Sequence, residues 1–244
     1  MSVLIVTGTG TGVGKTIVTA AIAALAADRG TRVAVVKPAQ TGVQPHEHGD
    51  ADDVRHLTGL TDVHELSRFR LPLAPAAAAR HSSLTPPDLH AMATRISSLS
   101  GDHRLVLVEG AGGLLVRFDE DGATIADLAA ELSAPVLVVC DPTLGTLNHT
   151  ALTLEALAHR GLQCEGVVIG AWPAEPDLAC RSNIRDLEML SARPLAGAIE
   201  AYAGLLNPAA FLNAARAGLG PSLGGGFDAA DFRRRWQPHG WSTA

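Results

Sequence analysis

The sequence predicts an α/β fold, a doubly wound and mostly parallel sheet in a three-layer sandwich, and two observations carry that prediction. Short runs rich in Val, Leu and Ile recur along the chain and are apolar on both faces, as strands covered by helices on each side require. Alanine-rich segments of helical period separate them, the alternation that builds parallel sheets through crossover helices.

In chain order, the first strand is Val3–Thr7, followed by a helix over Thr16–Asp28 and a second strand over Val33–Val36. A short helix is expected over Ala51–Leu57. Leu71–Pro87, with four prolines around an alanine tract, reads as an irregular crossover loop near the sheet edge. Pro86–Leu99 follows as a helix, with Thr85 before a proline pair as its start signal, and then a strand over Leu105–Val108. The helix Thr124–Leu132 opens on a threonine three residues before Asp127. Strands over Val136–Cys140, Val167–Gly170 and Leu195–Ile199 alternate with helices over Asn148–His159 and Asp177–Leu190. Gly218–Gly226 reads as a surface connector to a last helix, Asp228–Trp236.

At 244 residues the expectation is one unit spanning 1–244, with one site. The longest wholly apolar run, Ala20–Ala27, is far short of the roughly 18 residues that span a bilayer. Met1 leads almost at once into the first strand without a basic leader, so a cytoplasmic location is expected. Cys140, Cys164 and Cys180 lack metal spacing and read as core thiols. A net charge of -6 weighs against nucleic acid as a partner.

The chemistry begins after the first strand, at Gly8-Thr9-Gly10-Thr11-Gly12-Val13-Gly14-Lys15-Thr16, which leads into a helix. Glycines let backbone N–H groups turn inward around phosphate oxygens, and the helix N-terminus adds positive partial charge. Lys15 neutralises terminal phosphates and the Thr16 hydroxyl suits magnesium. Five residues separate Gly8 from Gly14 where the usual loop has four, so the loop is a variant. A dinucleotide fingerprint or plain tight packing explains Gly-Lys-Thr poorly, and the fold is read as P-loop NTPase-like. Lys37, in Lys37-Pro38-Ala39-Gln40-Thr41-Gly42, stands at the carboxyl edge of the sheet near the phosphates. Glu109, in Glu109-Gly110-Ala111-Gly112-Gly113, ends another buried strand and reads as a magnesium ligand, against a bland alternative of a capped turn. Asp50, Asp52 and Asp53 open a helix, where acids also simply suit the dipole; any one could reach the metal.

The phosphate loop, the Lys37 and Glu109 motifs and Leu144-Gly145-Thr146-Leu147-Asn148-His149, four motifs in this order and over most of the chain, resemble the dethiobiotin synthetase family. The resemblance implies a cyclo-ligase that forms a ureido ring from 7,8-diaminopelargonate and CO2 with ATP and Mg2+, through a carbamate and a carbamic-phosphoric anhydride. It implies a homodimer with the diamine at the interface. Nucleotide contacts fall on Gly12, Val13, Gly14, Lys15, Thr16 and Ile17, on Asp50 and Glu109 to Gly112 through Gly110 and Ala111, and on Ile169, Gly170, Ala198, Ile199 and Glu200. Thr16, Asp50 and Glu109 become the metal ligands, Asp50 because the family's acid precedes a small residue at the opening of this helix. Lys37, Lys15 and Thr11 take the catalytic roles; Lys37 and Thr41, with Leu144, Leu147 and Asn148 from the second subunit, take the substrate. Asn148 alone also reads as an ordinary N-cap.

One departure concerns the base: where many members carry an asparagine that reads adenine, this chain has Gly170-Ala171-Trp172-Pro173, which opens the way to CTP beside ATP. The rival from another class is a partitioning or regulatory P-loop ATPase switch. It shares the loop, but lacks here a second lysine in that loop and a basic amphipathic helix. His149 reads as a helix-start or interface residue, Trp172, Trp236 and Trp241 as packing residues, and Arg233-Arg234-Arg235 as a solvated helix face.

Overall fold

The computed structural model describes residues 2–236; Trp241 lies outside the described residues. Among the described residues seven strands form one sheet: β1 (Ser2–Gly8), β2 (Val33–Lys37), β4 (Val63–Glu65), β6 (Leu105–Gly113), β7 (Val136–Cys140), β8 (Cys164–Trp172) and β9 (Gly197–Glu200). Their order is β4-β2-β6-β1-β7-β8-β9, with every pairing parallel. A two-stranded ribbon, β3 (Gln40–Thr41) with β5 (Arg68–Phe69), stands beyond the end of β2.

The side-chain period of a strand explains the two cores. In β1, Ile5 enters one apolar cluster while Leu4 and Val6 enter the other; Val136, Val138 and Cys140 of β7 face one side and Leu137 and Val139 the opposite one. Helices α1 (Lys15–Asp28), α2 (Asp50–Thr58) and α8 (Pro208–Gly218) cover one face. On the other lie α3 (Pro75–Ser82), α4 (Leu89–Asp102), α5 (Ile125–Glu131), α6 (Thr146–His159), α7 (Leu178–Ser191) and α9 (Ala229–Trp236). Each fully buried Leu or Ile contributes roughly 1.5–3 kcal/mol, so both faces are strongly driven to close.

Several elements differ from expectation. Leu71–Pro87 contains α3: Pro75 sits in the first turn, where its missing N–H costs nothing, and the alanines after it are strong helix formers. The next helix starts at Leu89, capped by Asp88 accepting from Ala91 N at 2.9 Å, so Thr85 is not its cap. Gly145, at φ 102°, caps α6, which puts Asn148 in the first turn and not at the cap. β6 runs on through Gly113, so Glu109 lies within the strand; β8 runs to Trp172, past Gly170. Gly218–Gly226 is no surface connector: Leu219 is fully buried and bridges Gly197, and a 3-10 turn, Pro221–Leu223, completes the segment. The arginine run does lie on an exposed helix face, as expected, with Arg233 paired to Glu188, Arg234 to Asp231 at 2.8 Å, and Arg235 over the Trp236 ring at 5.2 Å. Thr124 and Asp127 cap each other as expected, Thr124 N donating to Asp127 Oδ2 at 2.8 Å. Trp172 packs edge-on to Phe232, centroids 4.9 Å apart, and against Trp236 at 5.6 Å.

Cys140 and Cys180 are buried, and burial raises their thiols to about 12 and about 11. Cys164 is only partly buried. Among the described residues no helix is long and apolar enough to cross a membrane.

Candidate active site

The order of chain and sheet diverges at β1: the chain leaves it for β2 on one side and later fills β7, β8 and β9 on the other. In open parallel sheets the crevice at the carboxyl ends of such strands is where ligands bind. The phosphate loop lies there, between β1 and α1. Gly12 and Gly14 adopt φ 78° and 94°, left-handed values that a Cβ would oppose, and Gly14 is the N-cap of α1. The loop is backed by β8 at a distance that excludes side chains. A Cβ on Gly14 would lie 2.5 Å from Gly170 O, and one on Gly170 would lie 2.0 Å from Val13 O.

Register explains the neighbouring charges. Val36 of β2 pairs with Val108 of β6, so Lys37 and Glu109 emerge side by side one residue later, 4% and 2% exposed. Lys37 Nζ donates to Glu109 Oε1 at 2.8 Å and to Gly110 O at 3.3 Å, and pairs with Asp50 at the start of α2. Burial works against the Lys37 charge, yet the Glu109 and Asp50 carboxylates hold its ammonium above the usual lysine range. Lys15 Nζ donates to Gly10 O at 2.8 Å, back across its own loop. Burial first, and then repulsion from Lys37, lower its pKa to about 8. Thr16 Oγ1 donates to Glu109 Oε1 at 2.8 Å.

These groups open on one cavity of about 630 Å³, the size of a small-molecule site. Thr11, Gly12, Ile17, Thr41, Ala111 and Gly112 also line it. The three acids of α2 divide. Asp50 turns onto Lys37, Asp52 accepts from Gly49 N at 3.0 Å and Arg55 at 2.8 Å, and Asp53, which touches the cavity, pairs with His48 at 2.9 Å.

The donor set fits magnesium. Thr16 Oγ1 and Glu109 Oε1 are hard oxygens 2.8 Å apart, near the roughly 2.9 Å between adjacent ligands of an octahedral ion with bonds of about 2.0–2.1 Å. Among the described residues no group of three or more His, Cys, Asp or Glu side chains is placed to hold an ion.

Two sets of residues lie outside this cavity. Ile169, Gly170, Ala198 and Ile199 are buried at the β8 and β9 ends, with Glu200 exposed beyond them. Leu144 is 89% exposed and Asn148 is exposed, while Leu147 is half-buried. The cavity also holds residues without a role assigned from sequence. Gln40, 5% exposed, accepts from Asp50 N at 2.9 Å and so fixes the start of α2, and Leu73 to Pro75, leading into α3, form a wall. The glutamine stood within a recognised motif; the wall was hidden by its prolines.

A family model described as an AAA domain matches residues 2–209. The chain is 66% identical over 236 residues to the ATP-dependent dethiobiotin synthetase BioD of Parafrankia sp. (strain EAN1pec), covering 97% of this chain and 99% of that protein. It is 54% identical over 238 residues to the protein of the same name from Streptomyces coelicolor, covering 98% and 100%. Among solved structures, the cell division ATPase MinD of Pyrococcus furiosus matches with a TM-score of 0.54 at 22% identity, over 88% of this chain and 97% of that one. A ParA family ATPase from Chlorobium tepidum TLS matches at 0.55 and 14%, over 91% and 95%. At such identities the structural likeness shows the fold alone.

Proposed function

The chain belongs to the family of ATP-dependent dethiobiotin synthetases, a family of ligases, and from that premise we propose that it closes the ureido ring on 7,8-diaminopelargonate and CO2, as one unit working in a homodimer. The observation that carries the site assignment is the meeting of Lys15, Thr16, Lys37, Asp50 and Glu109 at one cavity. The switch reading loses its ground, since the sequence relatives are synthetases over the whole chain and the switch-like neighbours share only the fold.

In the proposed reaction one amine of the diamine attacks CO2, loses a proton and becomes a carbamate. Lys37 is placed to hold that anion, with Thr11 and Thr41 orienting it. A carbamate oxygen then attacks the γ-phosphorus, the bond to the nucleoside diphosphate breaks, and the diphosphate leaves. Lys15 exchanges Gly10 O for phosphate oxygens and offsets their charge. Such a transfer asks the protein for in-line placement and charge neutralisation more than for covalent help. Thr16, Glu109 and Asp50 would hold magnesium, which neutralises charge on the phosphates when bound. The second amine attacks the anhydride carbon, phosphate departs, and the ring closes with loss of the amine's proton. Gly12 to Ile17 cradle the phosphates, and Ile169, Gly170 and Ala198 to Glu200 border the nucleoside. Leu144, Leu147 and Asn148 of a second copy would receive the distal carboxylate at the start of α6, where free N–H groups favour an anion.

The test is phosphate release with magnesium and ATP, with and without the diamine and bicarbonate. Release that requires the diamine is expected; hydrolysis indifferent to it would overturn the proposal.

A further inference from the structure

The charged groups of the site lie on the β2–β6 side of the phosphate loop: Lys37, Asp50 and Glu109. A triphosphate whose terminal group sits among them must run its α-phosphate and nucleoside the other way, toward the ends of β8 and β9. No side chain is available at the first position there, because Val13 O and Gly14 fill the space over Gly170. The next loop does offer a surface. Ala201 N donates to Trp172 O at 2.7 Å, which pins it to the end of β8, and a Cβ on Gly204 would meet Ile17 Cδ1 at 2.7 Å, so the 3-10 turn Ala203–Leu205 rests on the first turn of α1.

Tyr202, the single tyrosine of the chain, stands in this loop and is 81% exposed. Its backbone is left-handed, φ 65°. Ser83 and Ala192 share that conformation but directly follow α3 and α7, and Ser133 stands one residue past the cap of α5, where it is a common helix stop. Tyr202 instead leads into a turn, a left-handed backbone that an L side chain opposes, and such outliers gather at ligand clamps. The aromatic rings nearby, Trp172, Phe232 and Trp236, are spent on one another.

We propose that Tyr202 is the platform on which the nucleotide base stacks, and that base choice is therefore loose. Every base has a π-face, so stacking on an aromatic ring accepts all of them, whereas discrimination needs polar side chains aimed at the base edge. The proposal rests on the nucleotide-site assignment above. It is tested by calorimetric binding of ATP, CTP, GTP and inorganic tripolyphosphate to the full chain and to Tyr202→Ala and Tyr202→Phe. Tyr202→Ala should raise Kd for all three nucleotides about tenfold, within what stacking one base supplies. Tripolyphosphate should bind unchanged, and Tyr202→Phe should stay within about twofold of wild type. Unchanged nucleotide affinity in Tyr202→Ala would overturn the proposal, as would an equal loss for tripolyphosphate. A wild-type preference of more than about a hundredfold for one base would overturn the loose choice. These Kd values do not depend on the diamine, so failure of the synthetase reaction would leave them standing as a separate result.

Discussion

On the β2–β6 side of the phosphate loop, contact is made by side chains: Lys37, Glu109, Asp50 and Thr16 are joined by hydrogen bonds and ion pairs, with Lys37 and Glu109 buried. On the β8–β9 side it is made through glycine main chain, with Gly14 against the Gly170 backbone and Gly204 against the Ile17 side chain. The first side fixes charge and is intolerant of chemical change. The second fixes shape and is intolerant of added volume.

The sharpest test of the first side is Lys37→Gln. Losing this ammonium should lower kcat by about 10³, as removal of a charge-stabilising donor does, in steady-state phosphate release. It should also lower the melting temperature, since Glu109 and Asp50 are left facing each other without a cation. The matching test of the second side is Gly170→Asn. Because a Cβ there lies 2.0 Å from Val13 O, the phosphate loop must move, and thermal stability should fall by about 1–3 kcal/mol. Nucleotide affinity should fall with it. Recovery of adenine selectivity without loss of stability would break the distinction between the two sides.

A pair of isosteric changes within α2 gives a finer separation. Asp50→Asn should cut turnover by about tenfold or more, because the Lys37 partner and proposed metal ligand is lost. Asp52→Asn should leave kcat within about twofold and cost about 0.5–1 kcal/mol of stability as the Gly49 cap weakens. The Gly49 N–H bond and Arg55 hold the Asp52 carboxyl below its usual range. A depressed folded pKa means its contribution is present above the unfolded value near 3.8 and fades as pH falls through the folded one.

The smallest expected effect is a proton count. With Lys15 at about 8 in the folded protein and 10.5 as its ordinary value, the unfolded chain binds more protons between those pH values. Its contribution to stability therefore rises with pH across that window. Bound phosphate reverses the local field, so nucleotide binding at pH 8 should take up about half a proton, and binding heats measured in buffers of different ionisation enthalpy should differ accordingly. No uptake would mean that the lysine is already fully charged in the free protein.

The same contrast explains what could be read from sequence. The charged side was legible because its chemistry is written in residue types: a lysine or glutamate at the end of an apolar run stands out, and parallel register then brings Lys37 and Glu109 together. The long helices and the central strands were legible from period. Short edge elements were not: β4 and the β3–β5 ribbon are two or three residues long, too brief for alternation to register. Pro75 disguised α3, and Asn148 drew the start of α6 inward from Gly145, whose left-handed turn has no side-chain signature. The closeness of Gly170 to the phosphate loop was invisible because main-chain packing leaves only a glycine behind.

The sheet order also governs how the molecule is born. β1 emerges first, yet its two neighbours are β6 and β7, so it waits unpaired until residues 105–113 and 136–140 have been made. At about 5–20 residues per second that wait lasts several seconds or more, with an apolar strand unshielded throughout. The phosphate loop waits longer still, because Gly170 supplies its backing, and the first turn of α1 waits for Gly204. A ribosome-bound chain stalled before residue 170 would carry every charged residue that lines the cavity and still have no finished cradle for a nucleotide.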